Sequence, residues 1–216
     1  KKHVTYVWFD ALINYISGVG YLEDKGKFKE FWPADVHIVG KDIMWFHTVY
    51  WPAMLKSAGI ELPKKVFSHG WWTVRNEKMG KSAGNAVNVD KLISYAGVDG
   101  ARYFLLRETP FGEDGDFSDE SIRERNNNEL ANKLGNLVSR VSTLIEKYGL
   151  EKGEVLETKG IVKRVQESFE GLEFDKVLGE IFGFIDKLNE LIQEKKPWET
   201  KDKRVLYTLA NGIKDV

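Results

Sequence analysis

The sequence predicts an α/β region followed by an all-α helix bundle, and three observations carry that division. Up to residue 118, short β-branched and aromatic runs alternate with helical stretches, the pattern of α/β layers. Beyond that point apolar residues recur at steps of three and four, so single helices would each expose a stripe that only neighbouring helices can bury. Composition agrees: of 216 residues, 42% are hydrophobic and 30% charged, which places the chain among folded globular proteins and away from disorder.

Thr5-Tyr6-Val7-Trp8-Phe9 predicts a strand, and residues 11–17 a short helix. Val36-His37-Ile38-Val39 predicts a buried strand ending at Gly40. Residues 43–57 predict a helix with Pro52 as a bend and Gly59 as a left-handed stop. Two strands follow, Lys65 to His69 and Trp71 to Val74. Helices then start near Asn88 to Asp90 and at Asp99, each start offering a side-chain oxygen as a cap. Ser121 and Glu124 have capping-box spacing, and Leu130, Leu134, Leu137, Val141, Leu144 and Tyr148 continue as one long amphipathic helix. Val177 to Ile192 repeats the pattern, Pro197 stops it, and Val205, Leu206, Leu209 and Ile213 begin another. A bundle of roughly three to five helices is expected.

Several function classes drop out early. No apolar run approaches the length of about 18 residues that a membrane span needs. With no cysteine there is no disulfide and no thiolate metal site, so an intracellular, cytoplasmic protein is expected. Lys1-Lys2-His3 offers neither an initiator Met nor a signal peptide, and the chain is read as starting in mid-domain. Residues 1–118 carry 15 basic and 14 acidic groups and the remainder 17 and 19. Neither half has the basic excess of a non-specific nucleic-acid binder, so any RNA contact must come from particular residues.

The stretch with most chemistry in it is Glu77-Lys78-Met79-Gly80-Lys81-Ser82-Ala83-Gly84-Asn85. Two lysines three apart in a glycine-containing loop between strand and helix can set two ammonium groups around a polyphosphate. Taken alone, such a loop is more often a solvated turn. Gly80-Lys81-Ser82 matches the end of a P-loop, but the first glycine of that motif would fall at Arg75. Asp114, Asp116 and Ser118 imitate the opening of an EF-hand, yet Asp119 and Arg125 stand where the loop needs Gly and Glu, so an acidic connector is expected and no metal site.

Lys78 to Asn85 resembles the K-M-S-K-S-x-G-N signature of the class I aminoacyl-tRNA synthetases, with Gly80 in place of the central serine. Tyr6-Val7-Trp8-Phe9-Asp10-Ala11, Gly40-Lys41-Asp42-Ile43, Phe46-His47 and Tyr50-Trp51-Pro52-Ala53-Met54-Leu55 are similar, in order and spacing, to the methionyl-tRNA synthetase family within that class. The resemblance covers essentially the whole chain. It implies the second half of a Rossmann-like nucleotide-binding fold with a stem-contact segment over 1–118, then a helical anticodon-binding domain over 119–216. His37-Ile38-Val39-Gly40 is not the family's H-I-G-H signature, because the spacing is wrong and no second histidine follows. That signature and the family's zinc-bearing insertion lie outside the chain, so a fragment, inactive alone, is expected.

The same resemblance implies roles for residues. Lys78 and Lys81 would be catalytic, stabilising the departing pyrophosphate, with Met79, Ser82, Gly40 and Asp42 completing an ATP site in which Asp42 meets the ribose. Trp8, Ala11, Tyr15, Ile43 and His47 would form the methionine pocket, which suits a thioether because sulfur packs favourably on aromatic rings. Leu12 stands where the family often has Pro. Asn136, Arg140 and, in Lys196-Pro197-Trp198, Trp198 would read the anticodon by stacking and edge hydrogen bonds. The implied partners are L-methionine, ATP with Mg²⁺, and tRNA(Met), with no membrane. The other reading weighed is a non-catalytic tRNA-binding or interaction protein derived from this fold.

Overall fold

The computed structural model describes residues 2, 4–74, 77–80 and 84–216, Lys78 by its backbone alone. The chain divides into two compact units, Lys1–Trp71 and Trp72–Val216, so the change of texture near residue 118 falls inside the second.

In the first unit, helix α1 (Val7–Ser17) and helix α2 (Lys25–Phe31) precede strand β1 (His37–Gly40). A 3-10 turn (Lys41–Ile43), a π-helical turn (Phe46–Tyr50) and helix α3 (Trp51–Ser57) lead to strand β2 (Val66–His69). β1 and β2 pair in parallel from His37 opposite Val66 to Gly40 opposite His69. The expected strand over Thr5–Phe9 is not formed: α1 begins at Val7. In helical form Trp8, Leu12 and Ile16 fall on one face and pack with Trp32, Trp51 and Leu55, and that burial outweighs the β propensity of the aromatic run. The helix expected over 43–57 is present but uneven. Pro52 lies in the first turn of α3, where its missing N–H matters least, and the irregular π-helical turn comes directly before it. Gly59 at φ +68° closes the helix, with the Ile60 N–H reaching back to the Leu55 carbonyl at 2.9 Å.

In the second unit, strand β3 (Trp72–Val74) is flanked by antiparallel β4 (Glu77–Lys78) and parallel β5 (Gly115–Asp116). Helix α4 (Val89–Arg107) is capped by the Asn88 side chain, which accepts from the Asp90 N–H at 2.7 Å. It breaks at Gly97, φ +72°, which separates the two starts expected near residues 88–90 and 99. Leu92, Ala101, Phe104, Phe117 and Ile122 form a small core here. The run from Asp119 to Tyr148 is helical throughout: α5 (Asp119–Glu124), a π-helical stretch (Arg125–Gly135) and α6 (Asn136–Tyr148). Its cap is Ser118, whose Oγ accepts from the Ser121 N–H at 3.0 Å, and not Ser121. The earlier start puts Asp119 and Glu120 in the first turn, where acids are favoured. The acidic connector is used within the chain, since Asp116 accepts from the Thr73 hydroxyl at 2.6 Å.

Helices α7 (Lys159–Glu170), α8 (Phe174–Lys195), α9 (Pro197–Thr200) and α10 (Lys203–Lys214) complete the bundle. Its core is Leu137, Val141, Ile185, Leu188, Ile192 and Leu209, the residues whose spacing gave the helices away. α7 was not read from the sequence, because it is a half-buried helix with no fully buried residue. Among the described residues no helix is long and apolar enough to cross a membrane.

Candidate active site

One turn of helix separates Trp8, Ala11, Leu12 and Tyr15 on a common face of α1. Against them stands His47 from the π-helical turn, 1% exposed. The Tyr15 hydroxyl lies 2.7 Å from His47 Nε2, and His47 Nδ1 lies 2.8 Å from the Ile43 carbonyl. A carbonyl only accepts, so Nδ1 donates to it, while the Tyr15 hydroxyl engages Nε2: both ring nitrogens are held. Trp8 stacks on Phe46 at 4.3 Å between centroids, 9° from parallel, and stands edge-on to His47 at 6.0 Å.

A second histidine sits behind this layer. His37, on β1, packs against the Tyr15 ring at 4.4 Å and its Nε2 accepts from the buried Trp51 indole at 3.1 Å. Burial, and secondarily the nearby His47, pushes its pKa below the ordinary histidine value. Burial pushes the Tyr15 hydroxyl up. The cluster is predominantly aromatic, a surface for an apolar, polarisable group.

Of the five residues assigned to this pocket from the sequence, Trp8, Tyr15 and His47 meet through their side chains. Ile43 joins through its carbonyl, and Ala11 shares the α1 face. Phe46, His37 and Trp51 were missed. The signals were present: Trp51 follows His47 by one helical turn, and His37 and Val39 are the alternate, buried positions of β1. A separate apolar groove of about 820 Å³ opens beside α1 and α3, with Phe9, Ile13, Ile16 and Met54 in its lining. It takes in none of the five.

Gly40 and His69 end β1 and β2 side by side, the edge of a parallel pair where ligands of open α/β sheets are held. A Cβ at Gly40 would meet His69 at an ordinary 3.7 Å, so no neighbour among the described residues requires the glycine. Asp42 Oδ2 accepts from the Trp71 indole N–H at 2.6 Å, and Lys41 Nζ lies 3.8 Å from the centre of the same ring.

In the second unit, the lysine segment begins on β4 and is tied at its near end. The Gly80 N–H donates to the Asn85 side-chain oxygen at 2.9 Å, and the Met79 N–H to the Trp72 carbonyl at 3.3 Å. The Met79 side chain packs on the small core. Lys81 and Ser82, and the Lys78 side chain, lie outside the described residues.

Farther along, the Arg140 guanidinium lies 5.4 Å from the centre of the Trp198 ring. The Gln193 amide oxygen, turned toward it, accepts from both terminal nitrogens of Arg140 at 3.2 Å. Trp198 also packs partly on the bundle core. Asn136 opens α6, exposed, one turn before Arg140. The three residues assigned together from the sequence thus lie on α6 and at the α8–α9 corner, with Arg140 and Trp198 in contact.

Comparison with known proteins places these features in context. A family model described as tRNA synthetases class I (M) matches residues 1–142. The methionine–tRNA ligase of Caldanaerobacter subterraneus is 46% identical over 99% of this chain and 37% of its own length; that of Rickettsia conorii is 42% identical over 99% of this chain and 46% of its own. A Mycobacterium tuberculosis methionyl-tRNA synthetase solved in complex with methionyl-adenylate superposes with a TM-score of 0.91 at 40% identity, covering 98% of this chain and 46% of that one. The apo form of the M. tuberculosis protein gives 0.87 at 37% identity. The chain spans less than half the length of each of these relatives.

Proposed function

The chain belongs to the class I (M) tRNA synthetases, and from that premise we propose that it is part of an enzyme that joins L-methionine to tRNA(Met). The reaction has two steps. A carboxylate oxygen of methionine attacks the α-phosphorus of ATP, the bond to the bridging oxygen breaks, and pyrophosphate leaves with its Mg²⁺. A terminal ribose hydroxyl of the tRNA then attacks the methionyl carbonyl and AMP departs.

In this reading the Tyr15–His47–Ile43 chain and the Trp8–Phe46 stack hold the thioether side chain. His47 acts by shape and hydrogen bonding, since both its nitrogens are engaged. Gly40 and Asp42 face the adenosine ribose. Lys78 and Lys81 act on the transition state, where charge moves onto the leaving pyrophosphate, with Met79 and Ser82 forming the rest of that loop. Asn136, Arg140 and Trp198 read the anticodon. The observation that carries the reading is the aromatic slot with both nitrogens of its histidine engaged, in a chain whose M. tuberculosis relative was solved holding methionyl-adenylate.

The test is methionine-dependent ATP–pyrophosphate exchange by the full-length enzyme. Trp8→Ala is expected to raise the methionine KM about tenfold or more, with the ATP KM little changed, because it deletes a stacking face used by one substrate only. Exchange that does not depend on methionine, or a loss confined to the ATP KM, contradicts the assignment.

A further inference from the structure

We propose that Trp71 is a positioning residue for the nucleotide, acting through Asp42 on the ribose; this rests on the reading above in which Asp42 meets the ribose hydroxyls. Trp71 is not one of the residues that the sequence marks for the site. It follows β2 by two residues, and residues 41 and 42, just past the end of β1, grip its ring from two directions. Lys41 Nζ lies 3.8 Å from the ring centre. Asp42 takes the ring edge, its Oδ2 accepting from the indole N–H at 2.6 Å.

Each contact constrains a different freedom. The indole N–H is a single donor in the plane of the ring, so a carboxylate oxygen bound to it is held in direction as well as distance. A bond this short to an ionised acceptor is of the charge-assisted class, the stronger kind. The ammonium near the ring opposes tilting of the indole, since a cation prefers to sit over the π face. Cation, ring and carboxylate thus order one another at the carboxyl end of the β1–β2 pair. Asp42 is an exposed side chain on a short 3-10 turn, and the bond to the indole narrows the rotamers open to it. With that bond, the carboxylate reaches the ribose already oriented, and less ordering is left to the binding step.

The opposite role can be separated by its sign. An indole that merely fills the ribose position would have to be displaced by nucleotide, and removing its N–H would tighten ATP binding. A positioning indole does the reverse.

The experiment uses Trp71→Phe in the full-length enzyme, which keeps an aromatic ring beside Lys41 and deletes the N–H. Pyrophosphate exchange with ATP, 2′-deoxy-ATP and 3′-deoxy-ATP is the readout. The ATP KM is expected to rise about tenfold, in the range for loss of one hydrogen bond to a charged group, with the methionine KM unchanged. With whichever deoxy analogue lacks the hydroxyl that Asp42 takes, wild type and variant should converge, a pattern that general loosening of the fold would not give. An ATP KM that is unchanged or lowered, or an equal loss with ATP and both analogues, overturns the proposal. Asp42→Asn separates the two levels. If it raises the ATP KM while Trp71→Phe does not, only the role of Trp71 falls; if it leaves the ATP KM unchanged, the ribose reading falls and this inference with it.

Discussion

His37 and His47 illustrate how much one hydrogen bond decides. His37 Nε2 accepts from the Trp51 indole, and acceptance requires that nitrogen to be unprotonated; His47 Nε2 is met by the Tyr15 hydroxyl. For His37 the folded-state pKa is below the ordinary value, burial being the larger cause. A lowered pKa means the unfolded chain binds the proton more readily, so this contribution to stability is complete above pH of about 6.5 and is lost as pH falls through the folded value. Urea midpoints measured from pH 7.5 to 5.5 are expected to decline, and His37→Gln, which keeps an acceptor for Trp51 and does not titrate, is expected to flatten the decline. An undiminished slope in the variant would contradict the assignment. Trp8 and His47 were legible because they stand in spaced sequence blocks, and Tyr15 because the resemblance implies it. Phe46 stands in the same block as His47, but its stacking on Trp8 was not legible, because a stacked partner is fixed by the rotation of a π-helical turn, and no periodicity in the sequence encodes that rotation.

Elements were legible where burial and pattern agree. The helices of the bundle carry stripes at steps of three and four, and β1 alternates buried and exposed residues. They were illegible where tertiary contacts overrule local preference, as at Val7 to Phe9, whose β-type residues form the first turn of α1 because that turn carries Trp8 onto the Trp51 and Leu55 layer. The cap at Ser118 is a smaller case: two serines with cap chemistry lie three residues apart, and burial of Ile122 favours the earlier one. Packing between elements is tight enough to test. A Cβ at Gly212 on α10 would fall 2.6 Å from Leu188 Cδ2 on α8, and Leu188 is fully buried. Gly212→Ala is expected to destabilise the second unit by about 1–3 kcal/mol, the usual cost of overpacking a filled core. Denaturant unfolding checks this, and a variant as stable as the parent would show that α8 and α10 can part freely.

At the scale of the whole molecule, the proposed function gives two surfaces separable duties. On that proposal the lysine segment, whose near end is tied by Asn85, would serve activation. The Arg140–Trp198 contact would serve recognition of the tRNA. Neither charge balance nor fold class could have assigned those duties, since the two halves are near neutral and helix bundles do many things. They come from the resemblance, as expectations. Lys81→Ala in the full-length enzyme is expected to cut kcat for exchange about a hundredfold with little change in the methionine KM, because its charge matters most when pyrophosphate departs. A loss confined to KM would count against that role.

The measurement that bears most directly on the division of duties is exchange and tRNA charging assayed side by side in Trp198→Ala full-length enzyme. Loss of charging through kcat/KM for tRNA, with tRNA-independent exchange intact, is the expected result. Exchange and charging falling in parallel, or charging left whole, would contradict it.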